Sequence, residues 1–424
     1  MKTKILQIIY DMRHQPVIAW VTVLGTALSI FLILVVVMMQ QVGVIAYAPE
    51  SNRDRMLYGM YLHTSSTDEA GNNSSAGLSY KRCVQLYGDL DGVENMTVFR
   101  VFLEAADASG DDNVTRSVKA RMCDDRFWQI FDHTLLAGRY FTDAEVAANA
   151  PVAILSESTA RKLFGTADVV GKVMKYNHMK FTVIGVVADS SELATMASGD
   201  VFVPFAPNNS EYTWSENFGD YAAGLLVKPG VDFEHVRDQV KSRYAMLDTE
   251  LAANHECTVY HEAPYDQKTI ASGSVHGSNV TPDTTTDDVL RGIIYAILLL
   301  VPAINLSSML HSRMRRRVSE IGVRRAYGCT RSRVIADIIA ENMIVTVAGG
   351  VIGLVAAVIF AMTYDGIFEV DNGSASPALG MILNVGTIVA TFVACLILNI
   401  ISASIPAWQA SRVNPVEAIN SNRN

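Results

Sequence analysis

EIGVRRAYGCTRSRV (Glu320–Val334) lies between two strongly apolar segments. From His311 to Ala340 the chain carries eight arginines, no lysine and two acids. Such a run fits nucleic-acid binding, a marker of the cytoplasmic side of a membrane, or a docking surface for a partner. The surrounding sequence chooses among them.

The chain has 424 residues, of which 50% are hydrophobic and 18% charged, with a formal charge of −9. Mean hydropathy is +0.22. That is too apolar for an ordinary soluble enzyme, and the apolar residues fall in four blocks: Val17–Met39, Gly292–Leu310, Asn342–Met362 and Met381–Ala403. Each is near the ~20 residues that a helix needs to cross a bilayer. None contains Lys, Arg, Asp or Glu. Pro302, in the second, is tolerable where neighbouring helices pack against it. The first block also has signal-peptide features: Lys2, Lys4 and Arg13 precede it, and Ala46-Tyr47-Ala48 mimics a cleavage site. Its apolar run exceeds the usual one of about 7–15 residues, and Pro49 would follow the cut, so it reads as a span.

Lys and Arg near helix ends set orientation. They flank the first block on its N-terminal side, fill the Arg loop and recur as Arg412 and Arg423. The loop Thr363–Gly380 has Asp365, Glu369 and Asp371 and no base. The expected fold is therefore an α-helical membrane protein with four transmembrane helices and a large α+β extracytoplasmic domain inserted between helices 1 and 2. Its segments are a cytoplasmic stretch at 1–16, spans at 17–39, 292–310, 341–362 and 381–403, the external domain at 40–288, a cytoplasmic loop at 311–340, a short external loop at 363–380 and a cytoplasmic tail at 404–424. Both termini face the cytoplasm. The arginines then have a first role in fixing topology, and no nucleic-acid partner is expected of a short tethered loop.

The external segment is acidic, with 20 Lys and Arg against 35 Asp and Glu over residues 41–288. Tyr80–Phe102 reads as a helix, an Asp-Gly turn and a strand. Ala150–Gly165 reads as a buried strand and a helix, capped by Ser156 or Ser158 and ended by Gly165. Lys180–Asp189 is a β-branched strand, and Phe233–Leu247 an amphipathic helix. This mixture argues for α+β. Ser65–Gly77 and Thr269–Asp288 read as polar connecting stretches.

Catalytic motifs are missing. Gly171-Lys172 is followed by Val173, so it lacks the hydroxyl of a phosphate-binding loop. There is neither a G-x-S-x-G nor an H-E-x-x-H pattern. His255, Cys257 and His261 would share one face of a strand, but a structural metal site usually has a second cluster, so an ordinary strand face is the expectation. Cys83, Cys123 and Cys257 lie in the external domain and leave one disulfide open. Gly349 and Gly353 form a G-x-x-x-G that suits close helix packing, within one chain or between two.

His311–Tyr327 fits a short helix. Met314, Val318 and Ile321 recur along one apolar stripe, with Arg313, Arg317 and Arg324 off it. Glu320 stands four residues from both Arg316 and Arg324. Gly328 is placed to end the helix, and Thr330 or Ser332 to start the next. Docking into a groove on a soluble partner and lying on lipid headgroups both remain open from the residues alone.

RRRVSEIGVRRAYGCTRSRVIADIIAEN (Arg315–Asn342) resembles the cytoplasmic signature of FtsX-like, MacB-type ABC transporter permeases. PAWQASRVNPVEAIN (Pro406–Asn420) resembles the family's C-terminal ending, with Trp408-Gln409 where a basic residue is frequent. Gly138–Asp189 resembles the MacB-like periplasmic core domain. The resemblance implies a non-enzymatic permease of the bacterial inner membrane. Two permease chains, identical or paralogous, pair with a separate ABC ATPase that binds ATP and Mg; the permease itself needs no cofactor or metal. It further implies mechanotransmission, in which a coupling helix passes ATPase closure to the external domain and drives efflux of a peptide, antibiotic or similar cargo, with a periplasmic adaptor and outer-membrane channel as further partners. The expected ATPase contacts are Val318, Glu320, Ile321, Gly322, Arg324, Arg325 and Gly328. The alternatives are a lipoprotein-releasing permease, or a regulator of a cell-wall hydrolase or sensor kinase.

Overall fold

The computed structural model describes residues 16–66, 73–191, 193–205, 213–273, 275, 282, 284–363 and 385–411. The chain divides into a helical body and a mixed body spanning Gln41–Thr285. The expected N-terminal basic residues, most of the acidic loop and the tail beyond Ser411 lie outside the described residues.

The chain enters α1 (Pro16–Val42). Val23, Ala27, Ile30, Leu34 and Met38 are buried, whereas Leu24, Leu28 and Leu32 are exposed. Steps of three and four residues separate the two faces, and both are apolar.

The mixed body opens with β1 (Met56–Gly59), β2 (Tyr61–Ser66), β3 (Asn73–Gly77) and α2 (Tyr80–Tyr87). Next come β4 (Val93–Arg100), β5 (Glu104–Ser109), β6 (Arg116–Cys123) and α3 (Phe127–Ile130). They are followed by β7 (Leu135–Gly138), α4 (Asp143–Ala147), β8 (Val152–Ser156), α5 (Glu157–Phe164), β9 (Val173–Tyr176) and β10 (Met179–Val187). The body ends with β11 (Val201–Pro204), β12 (Tyr221–Val227), α6 (Phe233–Leu251), β13 (Glu256–Thr258), β14 (Tyr265–Asp266) and α7 (Gln267–Ala271).

Pairing runs β11-β8-β10-β9-β5-β6 and returns from β6 to β11, so six strands close a ring. The closing pair is parallel, with Val201 opposite Ala120 and Val203 opposite Met122. Phe99 opposite Cys123 joins β4 to β6, and the sheet continues through β12, β1 and β14. A separate three-stranded sheet pairs β13, β2 and β3. The stretch expected to be a polar connection, Ser65–Gly77, therefore contributes strand residues at both ends.

Successive side chains of a strand point to opposite faces. Ala153 and Leu155 belong to one apolar core and Ile154 to another; Val201 and Val203 divide from Phe202 in the same way. The first core also receives α6 through Val236, Val240, Tyr244, Leu247 and Leu251. The second is aromatic, with Phe127 edge-on to Trp128 and tilted against Phe131. Every residue of β12 is buried, as expected of a strand covered on both faces.

Local capping follows the sequence. The Ser156 hydroxyl accepts from the Thr159 amide, and Gly165 ends α5 at φ +72°. Thr142 and Glu145 form a reciprocal capping box on α4.

Two buried arginines fasten the segment 193–198. Arg53 donates to the Leu193 carbonyl at 2.8 Å and to Glu50 at 2.6 Å. The other Glu50 oxygen accepts from the Met196 and Ala197 amides. Arg121 donates to the carbonyls of Arg100, Val101, Thr195 and Ser198. Burial lowers its pKa to about 10. Carbonyl partners thus satisfy a guanidinium far from water.

The helical body resumes with α8 (Thr284–Ala326), α9 (Arg331–Thr363) and α10 (Val385–Ser411). The expected second span and the expected short cytoplasmic helix are one continuous 43-residue helix, α8. At 1.5 Å per residue it is about 65 Å long. Likewise α9 begins at Arg331, ten residues before the expected third span. Within α9, Arg331–Phe360 is long enough to cross a membrane and contains an 18-residue window of mean hydropathy 2.6; Val23–Met38 is a shorter apolar stretch.

The G-x-x-x-G of α9 is occupied within the chain. A Cβ on Gly349 would lie 2.9 Å from Thr26 Cβ, and one on Gly353 2.5 Å from the Ala27 carbonyl oxygen. Gly350 faces the Phe392 ring of α10 in the same way. The glycines let α9 pack closely against α1 and α10.

Candidate partner interface

The Arg loop folds as a tight elbow between α8 and α9. The Gly328 amide donates to the Arg325 carbonyl, and the Cys329 amide donates to the Arg324 carbonyl. With Gly328 at φ +92°, these two bonds make a Schellman ending. The amides of Arg333 and Val334 then donate to the Thr330 carbonyl, so Thr330 starts α9. Only four residues, Tyr327–Thr330, separate two long helices.

The elbow has its own core. Ile321 of α8 is buried with Val334 and Ile338 of α9 and with Ala403 and Ala407 of α10. Cys329 and Ile335 pack at its edge. Alanines at 403 and 407 allow the close approach, which gives the Pro406–Asn420 motif a packing role at Ala407. This core fixes the elbow on two neighbouring helices.

Ile321 was expected to touch a partner from an exposed stripe. It is only 8% exposed, because steps to Val334 and Ile338 bury it inside the body. Gly322 is buried as well. Arg324 and Gly328 are exposed, and Arg325 is half-buried. The side chains of Val318 and Glu320, and the remainder of the stripe at Met314, lie outside the described residues. Two residues escaped the sequence reading: Val323, 43% exposed, and Tyr327, 89% exposed. The available signal was an aromatic residue directly before the helix-ending glycine. Trp408, beside buried Ala407, is exposed too.

The elbow therefore presents an aromatic ring, an aliphatic side chain and guanidinium groups on a rigid turn. Arg324 and Arg325 sit in the last turn of α8, where the helix dipole favours cations by ~0.3–1 kcal/mol. Arg and Tyr are the residue types that anchor protein interfaces.

The other candidate cluster does not assemble. β13 covers only Glu256–Thr258, and His255 precedes it at φ +55°. His261 stacks edge-on against His63, with ring centres 4.7 Å apart. Cys257 donates to the Ser65 carbonyl. Cys83, Cys123 and Cys257 are free thiols, the first two buried. Burial pushes the Cys83 thiol well above its usual range.

The chain thus combines a helical body with a mixed α and β body. The family model for the MacB-like periplasmic core domain matches residues 19–243, and that for the FtsX-like permease C-terminal matches residues 292–415. The chain belongs to this family of ABC transporter permeases, membrane proteins with a periplasmic domain.

Among curated relatives, the macrolide export ATP-binding/permease protein MacB of Bdellovibrio bacteriovorus is 24% identical over 68% of this chain. The match covers 41% of that relative, so the chain spans less than half its length. The uncharacterized ABC transporter permease YknZ of Bacillus subtilis is 25% identical over 67% of this chain and 65% of its own. The crystal structure of the periplasmic region of MacB from Actinobacillus actinomycetemcomitans aligns with 50% of this chain and 91% of that one, at 16% identity and TM-score 0.35.

Proposed function

We propose that this chain is the permease subunit of a MacB-like ABC transporter and that its elbow docks a separate ATPase subunit. The observation that carries this reading is the elbow itself: Arg324 and Tyr327 project from a Schellman turn locked by Ile321 on α9 and α10. A rigid turn between two long helices is suited to passing a push into both of them. α1, α8, α9 and α10 act as four membrane spans, with the termini and the elbow in the cytoplasm. ATP and Mg are bound by the ATPase. Its closure moves α8 and α9, and through them the periplasmic domain, by mechanotransmission. A second permease chain completes the transporter, and a periplasmic adaptor and outer-membrane channel receive the exported cargo.

The contact set is Val323, Arg324, Arg325 and Tyr327. Ile321 and Gly322 shape the elbow from inside, Gly328 ends α8 at its exposed tip, and Val318 and Glu320 are further proposed contacts. The test is co-purification of the tagged chain with its ATPase in mild detergent. The wild type brings the ATPase down, and Arg324→Glu/Arg325→Glu does not. An ATPase retained by the double variant would overturn the docking assignment. An adaptor in the same sample supports export; a hydrolase or sensor kinase in its place points to the regulatory alternative, and lipoprotein to the releasing one.

A further inference from the structure

α1 ends at Val42, and the chain that follows it is held at once by the mixed body. The Gly43 carbonyl accepts from the Gln267 side-chain amide of α7 at 2.8 Å. Arg53, shortly before β1, donates to the Ile45 carbonyl at 3.0 Å, to the Tyr47 hydroxyl at 3.2 Å and to Glu50, and lies over the Tyr47 ring. The Pro49 carbonyl accepts from the Asp132 amide at 2.8 Å. Tyr47, Glu50 and Arg53 are all buried. The other crossing differs: residues 272–283 separate α7 from α8.

Within the helical body, α1 is seated on α9. Gly349 and Gly353 admit Thr26 and Ala27, and Phe31 lies edge-on to Phe360 with ring centres 5.5 Å apart. These contacts advance in step along both helices. A shift of α9 along α1 would drive side chains into backbone, and closely packed interiors transmit such strain. From this geometry we propose that α1 is the rod that carries motion from the elbow to the mixed body, and that Gln267 is a positioning residue that holds the rod's far end. The inference rests on the ATPase-docking reading and deepens it. The push enters at the elbow, passes from α9 to α1 along the glycine seam, and leaves through residues 43–53.

Gln267 stands out by its burial. It is 5% exposed, and its Oε1 has no partner among the described residues. A buried, half-satisfied amide weakens a fold relative to an apolar side chain of similar size. What Gln267 supplies is the bond to Gly43, the first residue beyond α1 and 224 positions away in sequence. The Gly43 backbone is only half-buried, so folding alone does not require that donor. Behind Gln267, β14 pairs with β1 through Leu57 opposite Asp266 and Tyr58 opposite Tyr265. The bond therefore ties the end of α1 to the main sheet.

The test is hydrogen–deuterium exchange, read by mass spectrometry, on the permease–ATPase complex in lipid nanodiscs, with and without a non-hydrolysable ATP analogue and Mg²⁺. In the wild type the analogue should change exchange both at the elbow and in the mixed body. Gly-Ser-Gly inserted between Val42 and Gly43 should reduce the mixed-body response at least threefold and leave the elbow response intact. The same insertion after Gly273 should change neither. Gln267→Leu should melt no lower than the wild type and still reduce the mixed-body response at least twofold, which a purely structural residue would not do. A mixed-body response that survives both the first insertion and Gln267→Leu would overturn the proposal. So would one that falls as much with the second insertion as with the first, or a wild-type complex whose mixed body does not respond. Loss of the ATPase from every sample, wild type included, would instead overturn the docking reading, and this inference with it.

Discussion

Gly353 of α9 approaches Ala27 of α1 so closely that a Cβ at the glycine would lie 2.5 Å from the Ala27 carbonyl oxygen. A backbone atom cannot rotate away as a side chain can, so the helices must separate to admit one. Gly353→Val should therefore destabilise the helical body by ~1–3 kcal/mol, the usual cost of overpacking. The measurement is thermal unfolding in detergent. Because the glycines are filled from within the chain, the variant should not change the oligomeric state seen by size-exclusion chromatography with light scattering.

The Glu50–Arg53 pair makes a second expectation. Both side chains are fully buried, and Glu50 also serves two backbone amides. Glu50→Ala leaves a guanidinium without its carboxylate and two amides without an acceptor. Breaking one side of a buried pair costs about 3–5 kcal/mol. Replacing both Glu50 and Arg53 by apolar residues should cost less than Glu50→Ala alone, as denaturant unfolding will show.

Acid lability should come from two histidines, His63 buried and His133 half-buried. Burial lowers the pKa of His133 to about 3 and, with His261 nearby, that of His63 to about 4. The unfolded chain holds more protons than the folded one between these values and about 6.5. The stability is thus complete above about pH 6.5 and lost as pH falls, by at most ~1.4 kcal/mol per pH unit for each histidine. Asp124 opposes this, since burial raises its pKa to about 7 and makes its contribution fall as pH rises from about 4 to 7. His63→Phe should flatten the melting temperature against pH between 4 and 6.5. An unchanged profile would contradict the assignment.

Gly328 tests the elbow as a structural unit. At φ +92° it occupies backbone space that other residues enter at a cost of ~1–2 kcal/mol. Gly328→Val should loosen the turn and weaken ATPase capture while the mixed body melts as in the wild type.

How much was legible differs between the two bodies. Strand β8, helix α5 and both of their caps follow from Ala150–Gly165, because the signals are local. The ring closure does not: β6 and β11 pair across some eighty intervening residues, and no short pattern encodes a parallel contact at that distance. The elbow's end at Gly328 was readable from its glycine. Ile321 was misplaced because an apolar stripe has the same spacing whether it meets a partner or its own neighbours. Val334, Ile338, Ala403 and Ala407 decide that, and only the fold brings them together. No local pattern marks Arg53 and Arg121 for burial, yet each sits among carbonyls supplied by distant segments.

The central claim is that the exposed face of the elbow recruits the ATPase. Tyr327 is the cleanest probe, since at 89% exposure it contributes little to the fold. Tyr327→Ala and Arg324→Glu/Arg325→Glu should each melt like the wild type in detergent. They should lose the co-purifying ATPase and, in reconstituted vesicles, permease-stimulated ATP hydrolysis. Variants that fold normally and still retain the ATPase at wild-type stoichiometry would contradict the account.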